Sequence, residues 1–406
     1  MRDKTVIIVL AGSSGKRLKP LTDERAKSAV PFGGKYRIID FTLANCLNSG
    51  LRRILVLTQH QSHSLLKHLR DGWSIFNPEI SEYITAVPPQ MRSGESWDSG
   101  TANAIYHIRD LLERSAAQWA LILTGDQIYR MDYAALLEFH AAKDGAATMV
   151  YKETNIREAQ GFASMSLDDE QRIIGFDNID EDSEDFMVGD TQVLTSLGMY
   201  VVSMECLLEC LESDHSNQQS KHDFCRDVIP ALADRKPIYA YHFGGSGGRV
   251  SEDNYWSNIG TLDEFYEANM ALLKTKPPIN LYQDDWLIRT YPGQHPPART
   301  IPGTSGTEGI CINSIVAGGV IIAGGIVQHS ILFADVFLDD ETIVQDSLLF
   351  EGVRVGEGAH IRNAIIDKFV NIPFGETIGY DLEKDRARFT VSEKGIVVVP
   401  RTYQFE

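Results

Sequence analysis

Between residues 320 and 361, apolar side chains return every six residues. Val320, Ile326, Leu332, Leu338, Val344 and Phe350 form one column, and Ile331, Phe337, Ile343, Leu349, Val355 and Ile361 form a second. A six-residue period fits neither an α-helix nor a simple β-strand. It fits short flat faces that wind into a parallel β-helix and stack their apolar columns inward. Alternating strands of a small sheet would account for one column, but two coincident columns favour the β-helix. The period alone does not give its hand.

The first two-thirds of the chain carry a different pattern. Ile54-Leu55-Val56-Leu57 and Ala120-Leu121-Ile122-Leu123-Thr124 are short continuous apolar runs, as expected of strands covered on both faces. Ser62 to Arg70, Thr101 to Arg114 and Tyr133 to Lys143 have helical spacing, the last stopped by Asp144-Gly145. Such alternation predicts an α/β domain built on a mostly parallel sheet with crossover helices. Pro277-Pro278, Pro292, Pro296-Pro297 and Pro302 punctuate the stretch between, which reads as a linker arm. With 406 residues, two domains are the expectation: 1–275 as the α/β unit, 276–311 as the arm, and 312–406 as the β-helix with a C-terminal tail.

A net charge of −18 disfavours nonspecific binding to nucleic acid or anionic membranes. An anionic substrate must therefore be met by local cations. No apolar run approaches the roughly 20 residues needed to span a bilayer. The N-terminus has the character of a strand and not of a cleavable signal. Cys46, Cys206, Cys210, Cys225 and Cys311 are too irregular for a disulfide framework, and Cys206 and Cys210 lack a second pair for zinc. Reduced thiols in a cytoplasmic protein are the expectation.

The chemistry starts at the first strand. Val6-Ile7-Ile8-Val9-Leu10-Ala11 runs into Gly12-Ser13-Ser14-Gly15-Lys16-Arg17. Glycines after a strand let backbone N–H groups approach phosphate, and a neighbouring cation neutralises it. An ordinary tight turn is the alternative. Gly125-Asp126 also follows a strand, and ligands of such sheets sit beyond the C-terminal strand ends, so Gly12 and Asp126 are placed to face one pocket. Asp126 reads equally as a metal ligand or as a turn residue.

Further residues carry a resemblance. Lys19-Pro20-Leu21-Thr22, Arg25-Ala26-Lys27-Ser28-Ala29-Val30-Pro31-Phe32-Gly33-Gly34-Lys35, Asn45-Cys46-Leu47-Asn48-Ser49-Gly50, Gly100-Thr101-Ala102, Gly125-Asp126-Gln127 and His222-Asp223-Phe224 follow in order along nearly the whole chain. They resemble the glucose-1-phosphate adenylyltransferase (ADP-glucose pyrophosphorylase) family. The resemblance implies a nucleotidyltransferase-like domain followed by a left-handed β-helix used in subunit assembly and in part of an effector site. It implies ATP and glucose 1-phosphate as substrates, Mg²⁺ as cofactor, and a homotetramer or a hetero-oligomer with a catalytic paralogue. Carried over by position, Leu10, Ala11, Gly12, Gly15, Gly100 and Thr101 are implied to hold the nucleotide. Arg17, Lys27 and Asp126 are implied in catalysis, Ser196 and Asp223 in sugar-phosphate binding, and Asp126 with Asn258 at the metal. A polar turn for Ser196 and a helix N-cap for Asp223 stand as the plainer readings.

The chain departs from the family pattern at charged positions. Ser14 stands where the family carries an Arg. Phe176-Asp177-Asn178-Ile179-Asp180 stands for Phe-Val-Glu-Lys-Pro, so Ile179 replaces a Lys that grips the sugar phosphate. Tyr255-Trp256-Ser257-Asn258 stands for Tyr-Trp-Arg-Asp, so Asn258 replaces a metal carboxylate. Glu24 replaces a basic effector residue, and Asn103 an Asp. Ser14, Ile179 and Asn258 each remove a charge that would act on phosphate or metal, which predicts attenuated catalysis. Three readings stay open: an active adenylyltransferase, a non-catalytic regulatory or ligand-sensing subunit, and a nucleotidyltransferase for another sugar phosphate.

Overall fold

The computed structural model describes residues 1–59, 61–88, 100–155, 163–178, 187–188, 192–249 and 254–405. Thr5–Ala11 is the central strand of the large sheet. Arg53–Thr58 and Trp119–Thr124 flank it in parallel, and Tyr83–Val87 extends the sheet beyond Arg53–Thr58. On the other side Gln192–Ser203 joins Trp119–Thr124 antiparallel and carries the sheet to Ala147–Asn155 and Ala163–Leu167. The sheet is therefore parallel at its centre and mixed toward one edge. Val6, Ile7, Ile8 and Val9 are all fully buried. Ile7 and Val9 face one apolar cluster with Val56 and Leu123, while Val6 and Ile8 face another with Leu55 and Ile122. That two-sided burial is why the strand is a continuous apolar run.

Helices cover both faces. His63–Trp73 and Tyr133–Lys143 form as their spacing predicts, and Asp144 ends the second in the left-handed region at φ 48°. The Thr101–Arg114 pattern divides into Thr101–Tyr106 and Arg109–Arg114. At the break the Ile108 N–H turns to the Ile105 carbonyl, 3.1 Å away, a tighter bond than the α-helix makes.

From Arg299 the chain winds through three parallel sheets, the architecture of a left-handed β-helix. Within the proline-rich segment, Arg299–Ile301 stacks on Ile321–Ala323, and Ile310–Ile312 on Ile326–Gln328. Between Ile310 and Ile378 stacked partners lie 16 or 17 residues apart, while the first pair, Arg299 on Ile321, and the last, Ile366 under Val399, span 22 and 33 residues. The coils are thus slightly shorter than three sixes, and one face in most turns gives up a residue. The interior columns run Ile322–Leu338–Val355–Ile372, Val327–Val344–Ile361–Ile378 and Leu332–Leu349–Ile366–Val399. The strict six-residue columns slip across this register. Ile326, Phe337 and Ile343 are consequently only partly buried, and Val327, Leu338 and Val344 fill the interior beside them.

The β-helix and the sheet domain share one apolar core. Phe265 meets Phe32 and Phe350 edge-on, with ring centroids 6.5 and 6.3 Å apart. Ile331, Leu348, Ile365 and Val398 belong to the same buried cluster as Ile7 and Val9. Among the described residues no helix is long and apolar enough to cross a membrane.

Candidate functional site

The parallel register pairs Leu10 with Thr124, and the Gly125 N–H bonds to the Leu10 carbonyl at 2.9 Å. The loops that follow the two strands therefore leave the sheet side by side. They open a cleft of about 690 Å³ whose lining includes Leu10, Gly12, Ser14, Lys16, Thr101 and Asp126. Ala11 lies outside the lining, 1 % exposed in the core.

Backbone geometry requires glycine at Gly15, while at Gly12 a side chain would displace Gln59. A Cβ on Gly12 would come within 2.7 Å of the Gln59 side chain, which also lines the cleft. Gly15 has φ +57°, and a Cβ there would lie 2.9 Å from Thr22 and 3.1 Å from Lys27. Thr22 Oγ1 donates to the Gly15 carbonyl at 2.9 Å, folding the loop back toward Lys27.

Asp126 lines the cleft, and from just behind the lining Lys27 Nζ donates to its Oδ2 at 2.7 Å, with side chains 7 % and 17 % exposed. The other Asp126 oxygen has no hydrogen-bond partner among the described residues. One open carboxylate suits a divalent ion that completes its shell with phosphate oxygens and water. The described residues contain no group of three or more His, Cys, Asp or Glu that would form an all-protein cage. Asn258 stands close in the ladder: Trp256–Asn258 pairs antiparallel with Gln127–Tyr129, and Asn258 faces Gln127, the neighbour of Asp126. Gln127 fixes this corner. Its Oε1 accepts from Trp256 Nε1 at 3.1 Å, and its Nε2 donates to the Leu197 carbonyl at 3.0 Å.

A second wall is built from Gly100, Thr101 and Asp223. The Ala102 N–H bonds to the His222 carbonyl at 2.8 Å, and Thr101 Oγ1 accepts from the Phe224 N–H at 2.8 Å. Asp223 Oδ1 accepts from the Cys225 and Arg226 N–H groups, each at 3.0 Å, so it caps its short helix while also facing the cleft. Gly100 makes this contact at φ +57°.

Two implied residues lie apart. Ser196 is 3 % exposed behind the cleft wall, with Oγ 3.5 Å from the Tyr200 hydroxyl. Burial pushes the Tyr200 phenol and the Cys225 thiol up, so Ser196 has neutral groups around it. Arg17 is exposed and outside the lining, its guanidinium beside Gly260. The first loop instead turns Lys16 and Lys19 to the cleft, together with Gln59 and Gln61. The sequence offers Lys16 or Arg17 as the loop's cation and carries Lys19, Gln59 and Gln61 in its family-like runs, but the resemblance assigns Arg17 to the site and none of these four. Ser14 lines the cleft, while Asn103 is buried in its helix. Ile179 lies outside the described residues. A second cavity of about 790 Å³ lies between the sheet domain and the β-helix, with Lys35, Arg37, His68 and Lys368 in its wall. Burial lowers the Lys368 pKa, and the Glu351 carboxylate, 2.6 Å away, opposes that shift.

A glycine loop and a paired Lys and Asp at adjoining ends of parallel strands belong to nucleotidyltransferases, and residues 6–275 match the family described as nucleotidyl transferase. Residues 296–399 match the GlmU-like C-terminal hexapeptide family. Glucose-1-phosphate adenylyltransferase 2 of Vibrio cholerae is 53% identical over 401 residues, covering 99% of this chain and 98% of its own. The Vibrio vulnificus protein of that name is 55% identical over 398 residues, covering 98% of each chain. Glucose-1-phosphate adenylyltransferase of Shewanella frigidimarina is 42% identical over 399 residues, covering 98% of this chain and 94% of its own. The chain belongs to the glucose-1-phosphate adenylyltransferase family.

Proposed function

We propose that this protein transfers the adenylyl group of ATP to glucose 1-phosphate, releasing pyrophosphate and forming ADP-glucose, and that it does so slowly. The observation that carries the reading is Asp126 in the lining of a glycine-walled cleft, paired from behind by Lys27. A phosphate oxygen of the sugar attacks the α-phosphorus of ATP, so three anionic groups must be gathered in line. The N–H groups from Gly12 to Ser14 receive the nucleotide phosphates, with Gly15 turning the loop from outside the lining and Lys16 as the cation turned inward. Gly100 and Thr101 form the opposite wall. Lys27 faces the transferring phosphoryl group, and Arg17 supports the rim at Gly260. Mg²⁺ held by the open Asp126 oxygen would neutralise charge on the phosphates. Asn258 offers that ion a carbonyl oxygen without a charge. Asp223 bounds the sugar side, with Ser196 buried and out of the lining.

The slowness follows from Ser14, Asn258 and Ile179, each an uncharged side chain where the family pattern has a charge. The second reading, a regulatory subunit that senses ligand beside an active paralogue, is favoured by the same three positions. We assign chemistry to residues 1–275 and assembly to 312–406, joined by the 276–311 arm, whose part from Arg299 already contributes strands to the β-helix. The assembled form is a homotetramer or a hetero-oligomer with a related subunit, and the five free cysteines suit a reducing cytoplasm. The effector site is assigned to the second cavity, with Lys35, Arg37 and Lys368 as its cations; Glu24 lies outside that cavity, beside Asp367 and Arg401, and removes a charge a sugar bisphosphate would need.

The test is ADP-glucose formation from ATP, glucose 1-phosphate and Mg²⁺ by the wild type, Lys27→Met and Asp126→Asn. Slow formation that both substitutions abolish is expected. Formation that survives both would remove this cleft from the reaction, and ATP binding with no product at any enzyme concentration would favour the regulatory subunit.

A further inference from the structure

We infer that Arg25 and Asp367 are positioning residues: the β-helix, through this buried ion pair, holds Lys27 in place against Asp126. The inference rests on the reading of Lys27 as part of the adenylyl-transfer site.

Arg25 Nη1 and Nη2 donate to Asp367 Oδ1 and Oδ2 at 2.8 and 3.0 Å, a bidentate pair with side chains 5 % and 4 % exposed. Arg25 stands two residues before Lys27. The segment around it leaves the cleft and returns to it. Lys19, Thr22 and Asp23 line the cleft, Glu24 and Arg25 reach the β-helix, and Lys27 comes back to Asp126. Asp367 is held from its own side. It follows the buried strand Ala364–Ile366, its N–H bonds to the Val399 carbonyl at 3.0 Å, and Oδ1 also accepts from the Lys368 N–H at 2.7 Å. The anchor is therefore rigid.

Docking of the two parts does not require this pair. Phe265 against Phe350, the shared apolar cluster and the Tyr266 hydroxyl on the Asp346 carbonyl already join them. A buried ion pair is a poor source of net stability, because both charges lose their hydration. Its particular property is geometric: two parallel hydrogen bonds fix a guanidinium in distance and in plane. The exposed Glu24–Arg401 contact, at 3.6 Å, adds little. What the pair contributes is the place of the Arg25 backbone, and with it the path of Ala26 into Lys27.

The experiment compares the wild type with Arg25→Met/Asp367→Leu, which removes both charges and strands neither, and with Asp367→Asn, which keeps the shape. Three quantities are read: the melting temperature, the rate at which acetyl N-hydroxysuccinimide modifies Lys27 (by mass spectrometry), and pyrophosphate release. A paired, buried ammonium acylates slowly. Released from its place, Lys27 should be modified at least several-fold faster in both variants, although the apolar pair melts like the wild type. The kcat should fall roughly tenfold to 100-fold with little change in KM for ATP, the scale expected of misplacement by about 1 Å. Unchanged Lys27 modification in both variants would overturn the inference, as would a kcat loss that returns in full when the apolar pair restores stability. If Lys27→Met alone leaves kcat unchanged while Lys27 reactivity still rises, the positioning stands and the catalytic reading of Lys27 falls.

Discussion

Gly100→Ala tests how tightly the two walls of the cleft are joined. The new Cβ would lie 2.0 Å from the His222 carbonyl oxygen and 2.3 Å from its carbon, both backbone atoms. Gly100 has φ 57° and ψ 164°, a region essentially reserved for glycine. Holding alanine there costs about 1–3 kcal/mol. The His222 carbonyl must also retreat, which breaks its 2.8 Å bond to the Ala102 N–H, worth a further ~1 kcal/mol. The sum is about 2–4 kcal/mol, or roughly 5–10 °C in the melting temperature of a domain this size. Retreat of this segment also carries Thr101 and Asp223 out of the cleft wall, so ATP affinity should fall at least about tenfold, or 1.4 kcal/mol. Scanning calorimetry and isothermal titration with ATP read the two effects. Gly358→Ala is the control, because Gly358 has φ +68° with nothing within 4 Å of its Cβ position; its cost is the left-handed backbone alone, roughly 1 kcal/mol. A Gly100→Ala protein that melts with the wild type, or binds ATP equally well, would refute the steric argument.

Other outcomes follow from the same packing. Leu338→Ala, in the β-helix interior, should cost about 2–5 kcal/mol, and Phe337→Ala beside it distinctly less; equal melting shifts would contradict the 16- and 17-residue register. Burial lowers His140 to about 4, with Nδ1 2.9 Å from Thr148 Oγ1. The unfolded chain then binds the extra proton between about pH 6.5 and 4, so this stability is complete above pH 6.5 and lost as pH falls toward 4. Urea titrations of the wild type and His140→Gln should show a flatter acid limb in the variant, and superimposable limbs would oppose the assignment. Gln127→Ala leaves the Trp256 N–H and the Leu197 carbonyl without their partner, about 1–3 kcal/mol each if buried; a thermal shift under 1 °C would show that water replaces both. Light scattering should report a tetramer, alone or with a related subunit, and a monomer under both conditions would remove the assembly role of the β-helix.

Much of the architecture is legible because burial writes it directly. Val6 to Val9 read as a doubly covered strand since both faces are covered, and two apolar columns indicated a β-helix since its interior takes one side chain per short face. The register did not follow, because a coil can drop a residue at a corner without losing its apolar count, and Ile326 and Phe337 look like Val327 and Leu338 in a sequence. The site was legible where backbone geometry forces residue type. Gly15 and Gly100 each combine a positive φ with a Cβ position that would collide. Long side chains were harder. Which of Lys16 and Arg17 turns inward depends on one short helical turn, and Ser196 reads as a polar turn whether its hydroxyl faces ligand or Tyr200. The Arg25–Asp367 pair joins residues 342 apart in the chain, and no local pattern announces it.

Steady-state pyrophosphate release with saturating ATP, glucose 1-phosphate and Mg²⁺, by the wild type and by Ser14→Arg/Ile179→Lys/Asn258→Asp, tests attenuated adenylyl transfer most directly. The three are combined because groups acting on one transition state are strongly non-additive. The wild type should turn over well below the typical 1–10³ s⁻¹ of enzymes, and the triple variant should be faster by about tenfold or more, each tenfold being 1.4 kcal/mol of transition-state stabilisation. A wild type already within the typical range, or a triple variant that folds and binds ATP yet gains nothing, would contradict it.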